Sequence, residues 1–237
     1  MLAKMIEKIV TLKQPQIFTI NGETYADTSL VRIEPHVDSP LALEVNGLDS
    51  ICKLIREEKE KVASTIMVQV KDFNLVEVIT AYRNDFSRFN LYRARADVPG
   101  FRSGWREREE ALIQLRSLFI PNDGTEYLLS LLSRISEDSN VTSSDNGVTQ
   151  RVEARQGIAL NVLEAVKPRV SLQPFRTFLE VAQPESEFLL RVEKDKGIGF
   201  FEADGGVWKL EAKRNVAAYF ESELKDLIED GAVVVMM

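Results

Sequence analysis

Apolar residues in this chain change period in blocks, and the order of the blocks limits the folds open to it. TIMVQV (65–70) and LVEVITAYR (75–83) are β-rich runs on either side of Lys71-Asp72-Phe73-Asn74, the pattern of a hairpin. QIFTINGETYAD (16–27) turns on Asn21-Gly22, a pair that supplies the positive φ angles of a tight two-residue turn. RFNLYRARA (88–96) continues as a third strand until Pro99-Gly100 breaks it. Later, VTQRVEARQ (148–156), VSLQPFRTF (170–178) and EFLLRVEK (187–194) read as strands, and Asp195-Lys196-Gly197 turns the last into IGFFEAD.

Helical spacing occupies the other blocks. Leu48, Ile51, Cys52 and Ile55 recur at i, i+3, i+4 and i+7 over 48–62, with REEKEK as the wet face. Ser103 caps a helix expected over 104–119, with Trp105, Leu112, Leu115 and Phe119 as its stripe. Asp123 and Glu126 form a capping box for 124–136, whose buried stripe is Leu128, Leu131, Leu132 and Ile135. A fourth helix spans 210–229, with Val216, Tyr219, Phe220, Leu224 and Leu227 on one face, and GAVVVMM ends the chain as an apolar strand needing a cover. Strands and helices in separate runs predict an α+β fold of antiparallel hairpins and mixed sheet with about four helices.

The organisation follows from the same runs. Residues 1–15 form an amphipathic helix or arm, 16–137 an N-terminal α+β region, and 148–237 a C-terminal α+β region that is separate or continuous with it. SEDSNVTSSDNG (136–147) is the most polar stretch. It gives a loop or linker over 138–147, or a hairpin closed by Asp145-Asn146-Gly147 between Val141 and Val148. MLAKMIEKIV carries Glu7 and two lysines and reads poorly as a signal peptide.

Absences narrow the chemistry. With one histidine and one cysteine, zinc sites rich in these residues are excluded, as is an intramolecular disulfide framework. His36 lies between prolines in EPHVDSP, with no nucleophile motif nearby. Neither a GxxxxGK[ST] phosphate loop nor a GxGxxG after a strand occurs, and no cofactor is implied. No apolar run reaches the roughly 18 residues of a membrane span, and the single cysteine makes the cytoplasm the expected compartment. The net charge of −7 argues against a general nucleic-acid coat, though a local basic pocket stays open.

One segment runs against that acidity. From Tyr82 to Arg108 there are seven arginines (Arg83, Arg88, Arg93, Arg95, Arg102, Arg106, Arg108) and no lysine, interleaved with Tyr82, Phe86, Phe89, Tyr92, Phe101 and Trp105. Arginine pairs bidentately with phosphates and carboxylates and stacks on flat rings better than lysine does. Three readings compete. The arginines pair with the chain's own 37 carboxylates, Arg106 with Glu110 at i, i+4 being one such pair. They line a pocket for a small phosphorylated nucleotide, comprising Arg88, Tyr92, Arg93, Arg95, Phe101, Arg102, Trp105 and Arg106, with Arg176 of QPFRTF added from the other half of the chain. Or they form a single-strand nucleic-acid groove.

Asp204, Glu211 and Lys213 in EADGGVWKLEAK also match the Asp…Glu-x-Lys pattern of metal-dependent nucleases. The plainer reading is a Gly205-Gly206 turn followed by a helix's charged residues.

DNGVTQRVEARQGIAL (145–160), QPFRTFLEVAQPESEFLLR (173–191) and FFEADGGVWKLEAKRN (200–215) resemble the YfdQ-like family of uncharacterised bacteriophage and prophage proteins. The resemblance carries no catalytic or ligand residues. It implies a protein made in the cytoplasm of an infected bacterium. The expected function is then a non-enzymatic, oligomeric anti-defence sponge that sequesters a nucleotide-derived immune signal. The alternatives are an accessory nucleic-acid-binding protein in phage DNA replication or recombination, and a direct protein inhibitor of a host defence enzyme.

Overall fold

A computed structural model describes residues 5–6, 17–20, 23–26, 41–62, 64–82, 87–134, 140–145, 150–156, 159–193 and 196–237, with the backbone alone at 20, 23–25 and in the strands between 140 and 165. The chain divides into two compact units, Met1–Asp38 and Ser39–Met237. The expected boundary at 138–147 therefore falls inside the second unit. The first unit holds the hairpin β1 (Ile17–Ile20) and β2 (Glu23–Ala26), paired from Ile17↔Ala26 to Ile20↔Glu23. The expected turn at Asn21-Gly22, most of the expected helix or arm over 1–15, and His36 lie outside the described residues.

In the second unit one sheet has the strand order β15-β4-β5-β6-β3. Its strands are β3 (Leu43–Val45), β4 (Ile66–Asp72), β5 (Leu75–Thr80), β6 (Asn90–Arg95) and β15 (Val233–Met236). Antiparallel β4–β5 and β5–β6 ladders form the centre, while β15 runs parallel to β4 and β3 parallel to β6. The apolar C-terminal strand thus finds one of its covers within its own chain. Alternation puts Val68, Val70, Val76, Val78, Tyr92 and Ala94 on one buried face. Helix α1 (Leu48–Glu58) buries there its whole expected stripe of Leu48, Ile51, Cys52 and Ile55, together with Val216, Ala217 and Phe220 of α4 (Val207–Glu223) and Leu227 of α5 (Lys225–Glu229). Each such fully buried large side chain contributes roughly 1.5–3 kcal/mol.

The second sheet has the order β7-β14-β13-β12-β8, from β7 (Gly104–Arg106), β8 (Phe119–Ile120), β12 (Arg169–Pro174), β13 (Ser186–Glu193) and β14 (Gly197–Glu202). Helices α2 (Arg108–Ser117) and α3 (Asp123–Arg134) pack with it, burying Ala111, Leu115, Leu128, Leu131 and Leu132 with Phe188, Leu190 and Phe200. A third sheet joins β9 (Asn140–Asp145), β10 (Gln150–Gln156) and β11 (Ala159–Val166) as an antiparallel meander. Within the polar stretch 140–145 is strand paired with β10; Asn146, Gly147 and Val148 of the expected turn lie outside the described residues.

Three expectations need correction. Gly104, Trp105 and Arg106 are not the first turn of a helix: they pair with Phe200, Gly199 and Ile198 of β14. The ladder satisfies their backbone groups, and α2 begins only at Arg108. Ser103 Oγ accepts from Glu202 N (3.2 Å) instead of capping. Helix α3 is capped by Asn122, whose Oδ1 accepts from Thr125 N at 2.9 Å, one residue before the expected cap. QPFRTF is not all strand either. β12 stops at Pro174 and 175–185 becomes an irregular strap, because Gln183 offers its backbone a rival set of partners. Gln183 Oε1 accepts from Arg176 N (2.8 Å) and Thr177 N (3.0 Å), and its Nε2 donates to Phe178 O (2.9 Å). The strap joins both cores: Phe178 is buried against the first sheet and Arg176 lies over Phe188 of the second. Glu180 Oε1 accepts from Leu48 N at 2.7 Å, at the start of α1.

Candidate functional site

The arginine-aromatic segment is spread over both five-stranded sheets rather than gathered round one hollow. Arg93 Nε and Nη2 donate to one oxygen of Glu77 (3.1 and 2.9 Å), and Nη1 reaches Glu44 at 3.4 Å. Glu77 also accepts from Lys71 at 2.8 Å, and chiefly through that bond its carboxyl is held below the ordinary carboxylate range. Arg88 donates to Thr80 O (2.9 Å) and stacks 3.9 Å over the Tyr82 ring. Tyr92 is buried on the first core and donates to Glu58 at 2.5 Å; burial first, then that bond, raises its phenol's pKa.

On the second sheet Phe101 packs edge-on to Phe119, Phe188 and Phe200. Trp105 packs on Phe201 beneath Lys196. Arg106 donates to the Trp105 and Arg102 carbonyls (2.7 and 2.8 Å) and pairs with Glu110 at 3.2 Å, the surface pair read from the sequence. Arg95 and Arg102 are exposed, and Arg83 and Phe86 lie outside the described residues. Carboxylates of the chain pair with Arg93 and Arg106, while Arg88 is held by the Thr80 carbonyl and the Tyr82 ring.

Arg176 differs from all of these. Its side chain is 4% exposed, between the faces of Trp208 (4.3 Å from the ring centroid) and Phe188 (5.3 Å). Nη2 donates to Ser186 Oγ at 2.5 Å, while Nε and Nη1 have no hydrogen-bond acceptor. Glu202 stands 3.6 Å from Nη1, an ion-pair distance beyond a good hydrogen bond. Burial pulls the guanidinium pKa down to about 10, against the opposing pull of Glu202 and Asp204.

A cleft of about 510 Å³ opens where α3 meets β12, lined by Asn122, Asp123, Gly124, Tyr127, Lys167, Arg169, Val170, Ser171 and Glu185. Small-molecule sites commonly occupy roughly 300–1,000 Å³. The helix approaches closely because position 124 is glycine: a Cβ there would fall 2.0 Å from Ser171 O. Asn122 Nδ2 bridges Ser171 O and Glu185 Oε1, both at 3.2 Å. Tyr127 OH accepts from Lys167 N at 3.0 Å, and Lys167 Nζ lies 4.7 Å from the centroid of the same ring. Arg169 pairs with Glu187 at 2.8 Å, both side chains more than half exposed, so the pair is weak and exchangeable. The cleft thus combines a flat ring, two accessible cations and two carboxylates. Sequence reading missed it, since Tyr127 and Lys167 meet only through the packing of α3 on β12. The one local signal was Asn122-Asp123-Gly124 ahead of a helical stripe.

Asp204 lies in the turn at Gly205-Gly206, and Glu211 and Lys213 lie on the helix that follows. Asp204 accepts from Gly206 N (3.0 Å) and Trp208 N (3.4 Å) in the turn leading into α4, whose N-cap is Gly206. The turn needs its glycines, with φ of +65° and +83° at Gly205 and Gly206. Among the described residues no three His, Cys, Asp or Glu side chains are grouped to hold a metal ion, and no helix is long and apolar enough to cross a membrane. No family model, curated protein or solved structure matches the chain.

Proposed function

We propose that this protein is a non-enzymatic binder of a small nucleotide-type anion, held in the cleft between α3 and β12. The carrying observation is the mixed lining of that cleft: the Tyr127 ring, Lys167 and Arg169 beside Asp123 and Glu185. A base stacks on the ring, a contact worth roughly 1–3 kcal/mol. Its phosphate takes Lys167 and replaces the weak Glu187 partner of Arg169. The carboxylates, repulsive to a long polyanion, accept hydrogen bonds from ribose hydroxyls and base amino groups. A compact nucleotide suits this mixture better than a nucleic-acid strand does, in keeping with the chain's acidity.

The resemblance to YfdQ-like phage proteins supplies the setting. The ligand would be a nucleotide-derived bacterial immune signal and the protein its cytoplasmic sponge. The test is a thermal-shift panel of cyclic di- and trinucleotides, ADP-ribose derivatives, mononucleotides and single-stranded DNA at fixed salt. A ligand at 100 times its Kd should add about 2.7 kcal/mol of stability, and Lys167→Glu and Tyr127→Leu should abolish the gain. Stabilisation by DNA alone would replace this reading with the replication one.

A further inference from the structure

The guanidinium of Arg176 lies outside that cleft and has a function of its own to account for. A buried donor without an acceptor costs free energy, and native structures tolerate few. Here two donors of one side chain, Nε and Nη1, lack acceptors. Of the groups packed round them, Ser186, Phe188 and Trp208 are each at most 6% exposed. The Glu202 side chain is 31% exposed. Its carboxylate is the loosest partner of the four, 3.6 Å from Nη1 and held otherwise by Trp208 Nε1 at 3.3 Å. Asp204, the other acid whose charge acts on Arg176, already accepts from Gly206 N and Trp208 N.

We propose that Arg176 forms a second, internal oxyanion site, in which a carboxylate or phosphate group displaces Glu202 into solvent. The exchange is nearly charge-neutral for a singly charged oxyanion, so the buried cation stays compensated throughout. The incoming group brings a closer acceptor oxygen to Nη1, the donor that Glu202 meets only at 3.6 Å; Nε lies on the other edge of the guanidinium and is not reached by the same group. Trp208, stacked on the guanidinium and bonded to Glu202, loses its indole N–H partner when Glu202 leaves.

That last consequence gives the assay. The chain has two tryptophans, so in a Trp105→Phe background the emission comes from Trp208 alone. Inorganic phosphate and, separately, acetate are titrated into the full-length protein at constant ionic strength. The expected result is a saturable change in Trp208 emission with at least one of them. Glu202→Gln removes the competing charge and should tighten it roughly tenfold, the effect of one hydrogen bond to a charged group. Arg176→Met should remove it. If Arg176→Met fails to fold, the Glu202→Gln comparison still decides, because it keeps the arginine. No saturable change with either probe, or an affinity indifferent to Glu202→Gln, would overturn the proposal and leave Nε and Nη1 to interior water.

Discussion

Replacing Gln183 by methionine tests how the strap holds the two cores together. The side chain is 4% exposed, and methionine fills nearly the same volume without hydrogen-bonding groups. Its Oε1 is the acceptor for two buried backbone donors, Arg176 N and Thr177 N, while Nε2 serves Phe178 O and, at 3.3 Å, Val181 O. Leaving a buried donor unpaired costs about 1–3 kcal/mol, so two orphaned N–H groups place the loss near 4 kcal/mol. That is a large share of the roughly 5–15 kcal/mol that stabilises a folded protein. At about 2–4 °C per kcal/mol for a chain of this size, Tm should fall by about 8–16 °C. Urea unfolding followed by circular dichroism should show a lower midpoint at unchanged slope. Gln173→Ala removes only the bond from Gln173 Nε2 to Gln183 O (2.7 Å) and should cost about 1 kcal/mol. A loss below about 1 kcal/mol for Gln183→Met would refute the reasoning, since the strap's backbone would then have other partners.

Other consequences are equally direct. Cys52 is 7% exposed and its thiol pKa is pushed up to about 12, first by burial, so a disulfide reagent at mildly alkaline pH should leave native protein unlabelled and label it fully on unfolding. Glu77, held below its ordinary 4.5, stabilises the fold above that value, and the contribution is lost as pH falls through the folded-state pKa. Glu77→Gln should therefore be less stable than wild type at neutral pH, with the gap closing as pH falls below the ordinary carboxylate range in parallel urea titrations. Gly124→Ala forces a methyl group against Ser171 O, so α3 must shift from β12. Both Tm and any ligand-induced thermal shift should drop together.

Period-based reading succeeded where neighbours in sequence are neighbours in space. The α1 stripe and the β4–β5 hairpin were legible because each rests on local spacing alone. The spacing of Trp105 to Leu112 and Leu115 fits a helix, but a ladder with Gly199, distant in sequence, decides otherwise. The arginine run was legible as unusual but not as to its partners, since Glu77 and Glu44 reach Arg93 across neighbouring strands. Gln183 sets the path of the strap through partners six or seven residues away, a pattern that no local spacing marks. The cleft was hidden for the same reason: its ring and glycine come from α3 and its cations from β12 and the residues just before it, which meet only in the folded chain.

Hydrogen exchange read by mass spectrometry, with and without a stabilising nucleotide, tests the central claim most directly. The account predicts slowed exchange in peptides covering 122–127 and 166–171, the two walls of the cleft, and little change over 88–106. Protection confined to 88–106 would contradict it and return the binding site to the arginine-aromatic segment.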